Sequence, residues 1–172
     1  TISLENQLPE LVPRMALIAL DNVVIKPSPI QMQSYLSRVG IKPINNVVDI
    51  TNFMAHLTAQ PMHTFDYDKI ADKSSSKGVA IVLRHPVEGE EITLLDGKTI
   101  KPHEKAILVC SDQEALAIGG VMGGQATEVN QKTTRVLLEV PNFNMYSIRR
   151  TSMKHGLFTE ASTRFNKGQS PS

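Results

Sequence analysis

Residues 79–118 read VAIVLRHPVEGEEITLLDGKTIKPHEKAILVCSDQEALAI, and four short apolar runs stand out: Val79–Arg84, Glu91–Leu95, Ile107–Cys110 and Ala115–Ile118. Their length, β-branched content and polar separators predict strands. Lys98–Ile100 faces Glu91–Leu95 across Asp96-Gly97, a strong hairpin signal because both turn residues accept a left-handed backbone. Outward from this stretch, Arg135–Val140 reads as another strand, and so does Met15–Ile25, bulged at Asp21-Asn22. Lys73–Gly78 is a small polar patch and reads as a loop tip.

Helices flank this strand-rich middle. Ser28-Pro29 supplies an N-cap and a proline at the first helical position, and Met32, Tyr35, Leu36 and Val39 share one face before Gly40. A second helix begins near Asn45-Asn46, with Val47, Ile50, Met54 and Leu57 on its apolar face and Asp49 in its first turn. Pro61 ends it, and Gln60–Asp66 reads as an ordered loop. A helix from about Asn144 to His155, closed by Gly156, and a short helical stretch after Thr159 complete the pattern. The order predicts an α+β layered fold rather than alternating βαβ units. Residues 1–172 read as one domain excised from a longer chain, with 1–14 as lead-in and 166–172 as a truncated exit segment.

The 172 residues are 41% apolar and 20% charged, enough for one core. Cys110 is the single cysteine, which excludes an internal disulfide framework and any CxxC metal or redox motif. No apolar run reaches the ~18 residues of a membrane helix, and no secretory signal pattern opens the chain. A reducing, cytoplasmic setting is the expectation. The formal charge is +1, but residues 149–172 carry Arg149, Arg150, Lys154, Arg164 and Lys167 against Glu160 alone. Such an edge either faces phosphates or is a solvated helical face.

The segment Ala117-Ile-Gly-Gly-Val-Met-Gly-Gly124 is the most unusual local feature. It lacks the Lys-Ser/Thr of a P-loop and the Rossmann spacing. Four glycines after an apolar strand mean a tight crossover under a helix or a backbone that approaches a ligand. The five histidines have no metal-ligand spacing, so no metal site is expected. There is no GxSxG, and Cys110 lies within a predicted strand, so hydrolysis here would use water directly. Asp49, Thr51, Asn52 and Glu139 interrupt apolar stretches. Glu139 is either an edge carboxylate in water or the polar group of a pocket.

Four segments together resemble the B3/B4 region of the bacterial phenylalanyl-tRNA synthetase β subunit. They are Gly40-Ile-Lys-Pro-Ile-Asn-Asn-Val-Val-Asp-Ile-Thr-Asn-Phe53, Gln60-Pro-Met-His-Thr-Phe-Asp66, Ala117–Gly124, and Ile148-Arg-Arg-Thr151 with Thr159-Glu-Ala-Ser-Thr-Arg-Phe165. The resemblance implies a β-sandwich core layered with helices and an editing role, hydrolysis of tyrosine wrongly esterified to the phenylalanine tRNA. The chemistry needs such a second site. An apolar pocket rejects an added hydroxyl only about 10²-fold, whereas a site that bonds the hydroxyl rejects its absence by roughly 10⁴–10⁵.

Carried over by matching motif, Glu139 resembles the residue that receives the tyrosine phenol, through a charge-assisted bond of about 1.5–3 kcal/mol. His63, Thr51 and Asn52 resemble the polar wall near the amino group and the ester. Gly120 and Gly123 would let backbone approach the substrate, and Thr159 and Ala161 resemble the small residues that leave room for the ring. Arg149, Arg150, Lys154 and Arg164 are the candidate tRNA contacts. The domain itself implies no cofactor; ATP and Mg²⁺ belong to the aminoacylation site of the family's whole enzyme, and its α subunit is the implied partner. Ala59 departs from the family's glycine, and His56 replaces a more usual apolar or acidic residue. The competing expectation is a non-catalytic tRNA-docking or scaffold module, like the corresponding domain of tRNA lysidine synthetase. The two separate on whether His63, Asn52 and Glu139 converge on one cleft.

Overall fold

A computed structural model describes residues 1–75 and 78–170. In chain order the elements are β1 (Ile2–Asn6), β2 (Arg14–Leu20), α1 (Ile30–Arg38), α2 (Asn46–Thr58), β3 (His63–Asp66), α3 (Tyr67–Ala71), β4 (Val79–Arg84) and β5 (Ile92–Thr93). There follow β6 (Thr99–Ile100), β7 (Leu108–Cys110), β8 (Ala115–Ile118), β9 (Met122–Gly123), a 3₁₀ turn at Gln125–Thr127, β10 (Val136–Asn142), α4 (Met145–His155) and α5 (Glu160–Phe165). One sheet has the order β1-β4-β7-β8-β9, a second β2-β10-β3, and β5-β6 is a separate hairpin. Phe65 of β3 and Leu137 of β10 join Val79, Ile81, Leu108 and Ile118 of the larger sheet in a single core. This is the layered α+β architecture that the pattern of elements predicts.

Several local predictions change under tertiary packing. The stretch read as lead-in holds β1, which pairs in parallel with β4 from Ile2↔Val79 to Asn6↔Leu83. β2 ends at Leu20, because Asn22 turns left-handed at φ 56 and Val23 N–H donates to the Thr134 carbonyl instead of a strand partner. Ser28 does not cap α1, whose N-cap is Pro29 without a side-chain bond; the Ser28 hydroxyl donates to Asp49 Oδ2 at 2.6 Å. The Lys73–Gly78 loop tip lies in part outside the described residues.

Asp96-Gly97 makes the expected hairpin. Gly97 is left-handed at φ 83, its N–H donates to the Leu94 carbonyl, and Leu94 N–H donates to the Lys98 carbonyl. The Gln60–Asp66 loop instead contains a strand, β3, bonded antiparallel to β10 from Val136↔Asp66 to Glu139↔His63. Asp66 then caps the short α3, accepting from Asp68 and Lys69 N–H, while its other oxygen accepts from the Thr133 hydroxyl at 2.6 Å.

Helix α2 begins where Asn45 predicts, with its side chain accepting from Val47 and Val48 N–H. Its buried face is not the apolar one. Ile50 and Leu57 are exposed, whereas Asp49 and Thr51 are buried. Asp49 accounts for this orientation: Oδ2 accepts from Ser28, and Oδ1 accepts from Ile44 N–H at 2.8 Å. A buried carboxylate with two donors turns the polar side of α2 inward.

Candidate functional site

A cavity of about 420 Å³ opens between the two sheets and the helices α2 and α5. Thr51 and Asn52 of α2 line it, with His63 of β3 and Glu139 of β10. Gly120 and Gly123 of the glycine segment contribute another wall, and Thr159 and Ala161 at the start of α5 a third. All eight predicted catalytic and substrate-binding residues therefore border one space.

The register of the smaller sheet makes the polar centre. β10 is the middle strand, so Glu139 sits between Leu17 of β2 and His63 of β3. That placement excludes the edge-carboxylate reading; Glu139 is buried. Burial pushes its carboxyl up to about 8, so at neutral pH the group is held mainly as the uncharged acid. The same burial lowers the His63 imidazole to about 4, which keeps it neutral. Neither side chain has a hydrogen-bond partner among the described residues. A neutral carboxyl at Glu139 can both donate and accept a hydrogen bond, whereas the charge-assisted bond expected from the sequence needs the ionised form.

The glycines serve two purposes. A Cβ at Gly123 would stand 2.6 Å from His63 Cε1 and 2.7 Å from Nε2, so this glycine makes the slot for the imidazole. The His63 ring also meets Phe65 edge-on, with centroids 4.5 Å apart. Gly120, left-handed at φ 68, closes the β8–β9 hairpin; a Cβ there would meet Ile148 Cδ1 at 2.8 Å and Phe143 Cδ2 at 2.9 Å. It is the tight crossover beneath α4 as well as part of the cavity wall.

The hydroxyls are largely committed. Thr51 donates to the Val48 carbonyl at 2.8 Å, leaving its oxygen free only to accept. Thr159 donates to the Val121 carbonyl at 2.7 Å and accepts from Ser162 N–H at 3.1 Å, tying α5 to the glycine hairpin. Asn52 keeps its amide without a hydrogen bond among the described residues. Sequence reasoning missed the apolar walls, among them Leu95, Val121, Met122 and Phe143. Apolar residues in strands give the same local signal whether they face a core or a cavity.

Arg149, Arg150 and Lys154 are exposed on α4. Arg164 is occupied internally: its guanidinium pairs with Glu160 and donates to the Ala55 carbonyl at 3.2 Å, bridging α5 to the end of α2. His56 lies 3.7 Å from the same Glu160 carboxylate. Ala59 ends α2 in the left-handed region at φ 62, a conformation that glycine adopts without strain. Among the described residues no three histidine, cysteine or acidic side chains cluster as metal ligands, and no helix is long and apolar enough to cross a membrane.

Comparison with known proteins follows the same outline. The phenylalanine–tRNA ligase β subunit of Oceanobacillus iheyensis is 44% identical over 162 residues, which is 94% of this chain and 19% of the relative. That of Carboxydothermus hydrogenoformans is 40% identical over 166 residues, 96% of this chain and 20% of the relative. The chain spans about a fifth of the length of these relatives. An N-terminal fragment of the phenylalanyl-tRNA synthetase β subunit from Pyrococcus horikoshii superposes with a TM-score of 0.58 at 13% identity, over 90% of this chain and 48% of that one, a likeness of fold. With the B3/4 domain model matching residues 11–172, nearly the whole described fold and every wall of the cavity, the chain belongs to the B3/4 domain family.

Proposed function

We propose that the cavity hydrolyses the ester of tyrosine misattached to the phenylalanine tRNA, as the editing site of a phenylalanine–tRNA ligase β subunit. The observation that carries this reading is the pairing of a buried, partnerless Glu139 with a neutral, partnerless His63 across one strand register. A scaffold has no use for two titratable side chains that face one cavity and bond to no other described residue, whereas a substrate entering that cavity can bond both.

The tyrosine ring enters between the apolar walls, and its phenol meets the Glu139 carboxyl as both donor and acceptor. Phenylalanine leaves the carboxyl without a partner and is excluded. The neutral His63, Asn52 and the acceptor oxygen of Thr51 orient the ester and the attacking water. Thr159 and Ala161 hold the entrance, Thr159 by fixing the start of α5 and Ala161 by its small volume. Gly120 and Gly123 bring backbone to the cavity wall. Arg149, Arg150 and Lys154 supply contacts to tRNA phosphates, with Arg164 holding α5 in place behind them. The whole ligase adds an α subunit and an aminoacylation site that uses ATP and Mg²⁺, acts in the cytoplasm, and needs no cofactor in this domain.

Deacylation of preformed tyrosyl-tRNA(Phe) by the chain is the test. Hydrolysis above the spontaneous rate is expected, with loss in His63→Ala and no comparable action on phenylalanyl-tRNA(Phe). A wild-type rate equal to the spontaneous one overturns the proposal.

A further inference from the structure

Two histidines outside the cavity join helix α4 to the segment between β6 and β7. His103 lies in that segment and His155 in the last turn of α4, and their rings stack with centroids 5.7 Å apart. The His103 backbone N–H donates to His155 Nε2 at 3.1 Å, and the Lys105 N–H donates to His103 Nδ1 at 3.2 Å. A backbone N–H can only donate, so neither of these ring nitrogens carries a proton. The tautomers follow: Nδ1–H in His155 and Nε2–H in His103. The His103 Nε2–H donates to Thr151 Oγ1 at 2.9 Å, and the Thr151 hydroxyl donates onward to the Ser147 carbonyl at 3.0 Å. His85, which follows β4, holds the same segment differently. Its Nδ1 donates to the Ala106 carbonyl at 2.8 Å, a bond that a protonated imidazole keeps.

We propose that His103 and His155 form an acid-releasable latch, which holds α4 to the β6–β7 segment while both imidazoles are neutral and opens when either ring is protonated. An imidazolium carries a proton on each nitrogen and cannot accept a hydrogen bond. Protonating His155 sets its Nε2–H against the His103 N–H, and protonating His103 sets Nδ1–H against the Lys105 N–H. The charged groups around the pair are Arg150 and Lys154 of α4, which oppose protonation of His103, and Glu104 of the segment, which favours it. Burial, reinforced by these cations and by His155, lowers His103 to about 4, while burial and Lys154 lower His155. The latch is therefore closed at neutral pH. What it holds bears on the cavity. Ile148 of α4 abuts Gly120, and the carbonyl of Ile107, just beyond the latched segment, accepts the Gly119 N–H at 2.9 Å. Both latched elements thus brace the glycine hairpin.

Amide hydrogen exchange of the full 172-residue chain, resolved by NMR from pH 7 down to about 4, tests the latch. The protection factors of the His103 and Lys105 N–H groups should fall by about 5-fold or more over that range, the worth of one net hydrogen bond. Leu137 N–H, in the middle of β10, should keep its protection and so separates local release from acid unfolding of the whole chain. His155→Gln places an amide oxygen, which does not titrate, near the position of Nε2. In that variant His103 N–H should stay protected in acid, while Lys105 N–H still loses protection. Imidazole ¹⁵N shifts at pH 7 should report the Nε2–H tautomer for His103 and Nδ1–H for His155. Protection at His103 that ignores pH in wild type overturns the inference. So does an equal loss in His155→Gln, a loss at Leu137 in step with His103, or the opposite tautomers.

Discussion

Glu139 and His63 are directly opposed on adjacent antiparallel strands, with their side chains on the same face of the sheet and the cavity in front of them. Burial moves the two groups in opposite directions, the carboxyl up and the imidazole down, so both are neutral over the same range near pH 7. The polar centre of the cavity is therefore uncharged near pH 7.

Stability should record this. Glu139 has a folded pKa near 8 against an ordinary 4.5, so the folded state holds the extra proton and loses stability as pH rises between those values. His63, near 4 instead of 6.5, acts oppositely and costs stability as pH falls from 6.5 toward 4. The two offset each other between about 4.5 and 6.5, and only Glu139 acts from 6.5 to 8. Thermal denaturation should show a decline across that upper window, at most about 1.4 kcal/mol per pH unit. Glu139→Gln should flatten it; an unaltered slope would place the titrating group elsewhere.

Removing the carboxyl should also change selectivity. In Glu139→Ala the tyrosine phenol loses its partner, and tyrosyl-ester hydrolysis should fall about 10–100-fold, since an unsatisfied buried group costs about 1–3 kcal/mol. Phenylalanyl-ester hydrolysis should rise, because the polar group that excluded the bare ring is gone. Deacylation rates for both esters decide the matter, and an unchanged ratio would remove Glu139 from recognition.

Gly123→Ala tests the imidazole slot. The added methyl would occupy the space 2.6–2.7 Å from two His63 ring atoms and displace the ring. Overpacking of this kind costs about 1–3 kcal/mol, with loss of tyrosyl-ester hydrolysis. In a His63→Ala background the stability cost of Gly123→Ala should largely disappear. Additive losses in that double-mutant cycle would show that the methyl strains something other than His63.

Ala59 is held left-handed at φ 62, where a Cβ is unfavourable by about 1–2 kcal/mol. Ala59→Gly removes that strain and gives back part of it as unfolded-state entropy. A net gain of about 0.5–1 kcal/mol in denaturant-derived stability is expected. A destabilised variant would mean that the Ala59 methyl makes packing contacts that outweigh the strain.

Local chemistry was legible in the sequence wherever a few neighbouring residues decide the backbone. Asn45 starts α2, Gly156 ends α4, Asp96-Gly97 turns the hairpin, and the glycine run marks a crowded crossover, all through interactions spanning only a few residues. The short strand at His63–Asp66 was not legible, because its ladder is supplied by β10, some seventy residues away. The inward face of α2 was misread for a related reason: periodicity favours Ile50 and Leu57, but the bonds from Ser28 and Ile44 to Asp49 turn the polar side in. The motif resemblance named the site residues singly. Only strand register placed Glu139 in a middle strand opposite His63, and only the packing of two sheets with α2 and α5 enclosed the cavity that both face. Register and burial are long-range properties, so the protonation states that they impose are decided by tertiary structure.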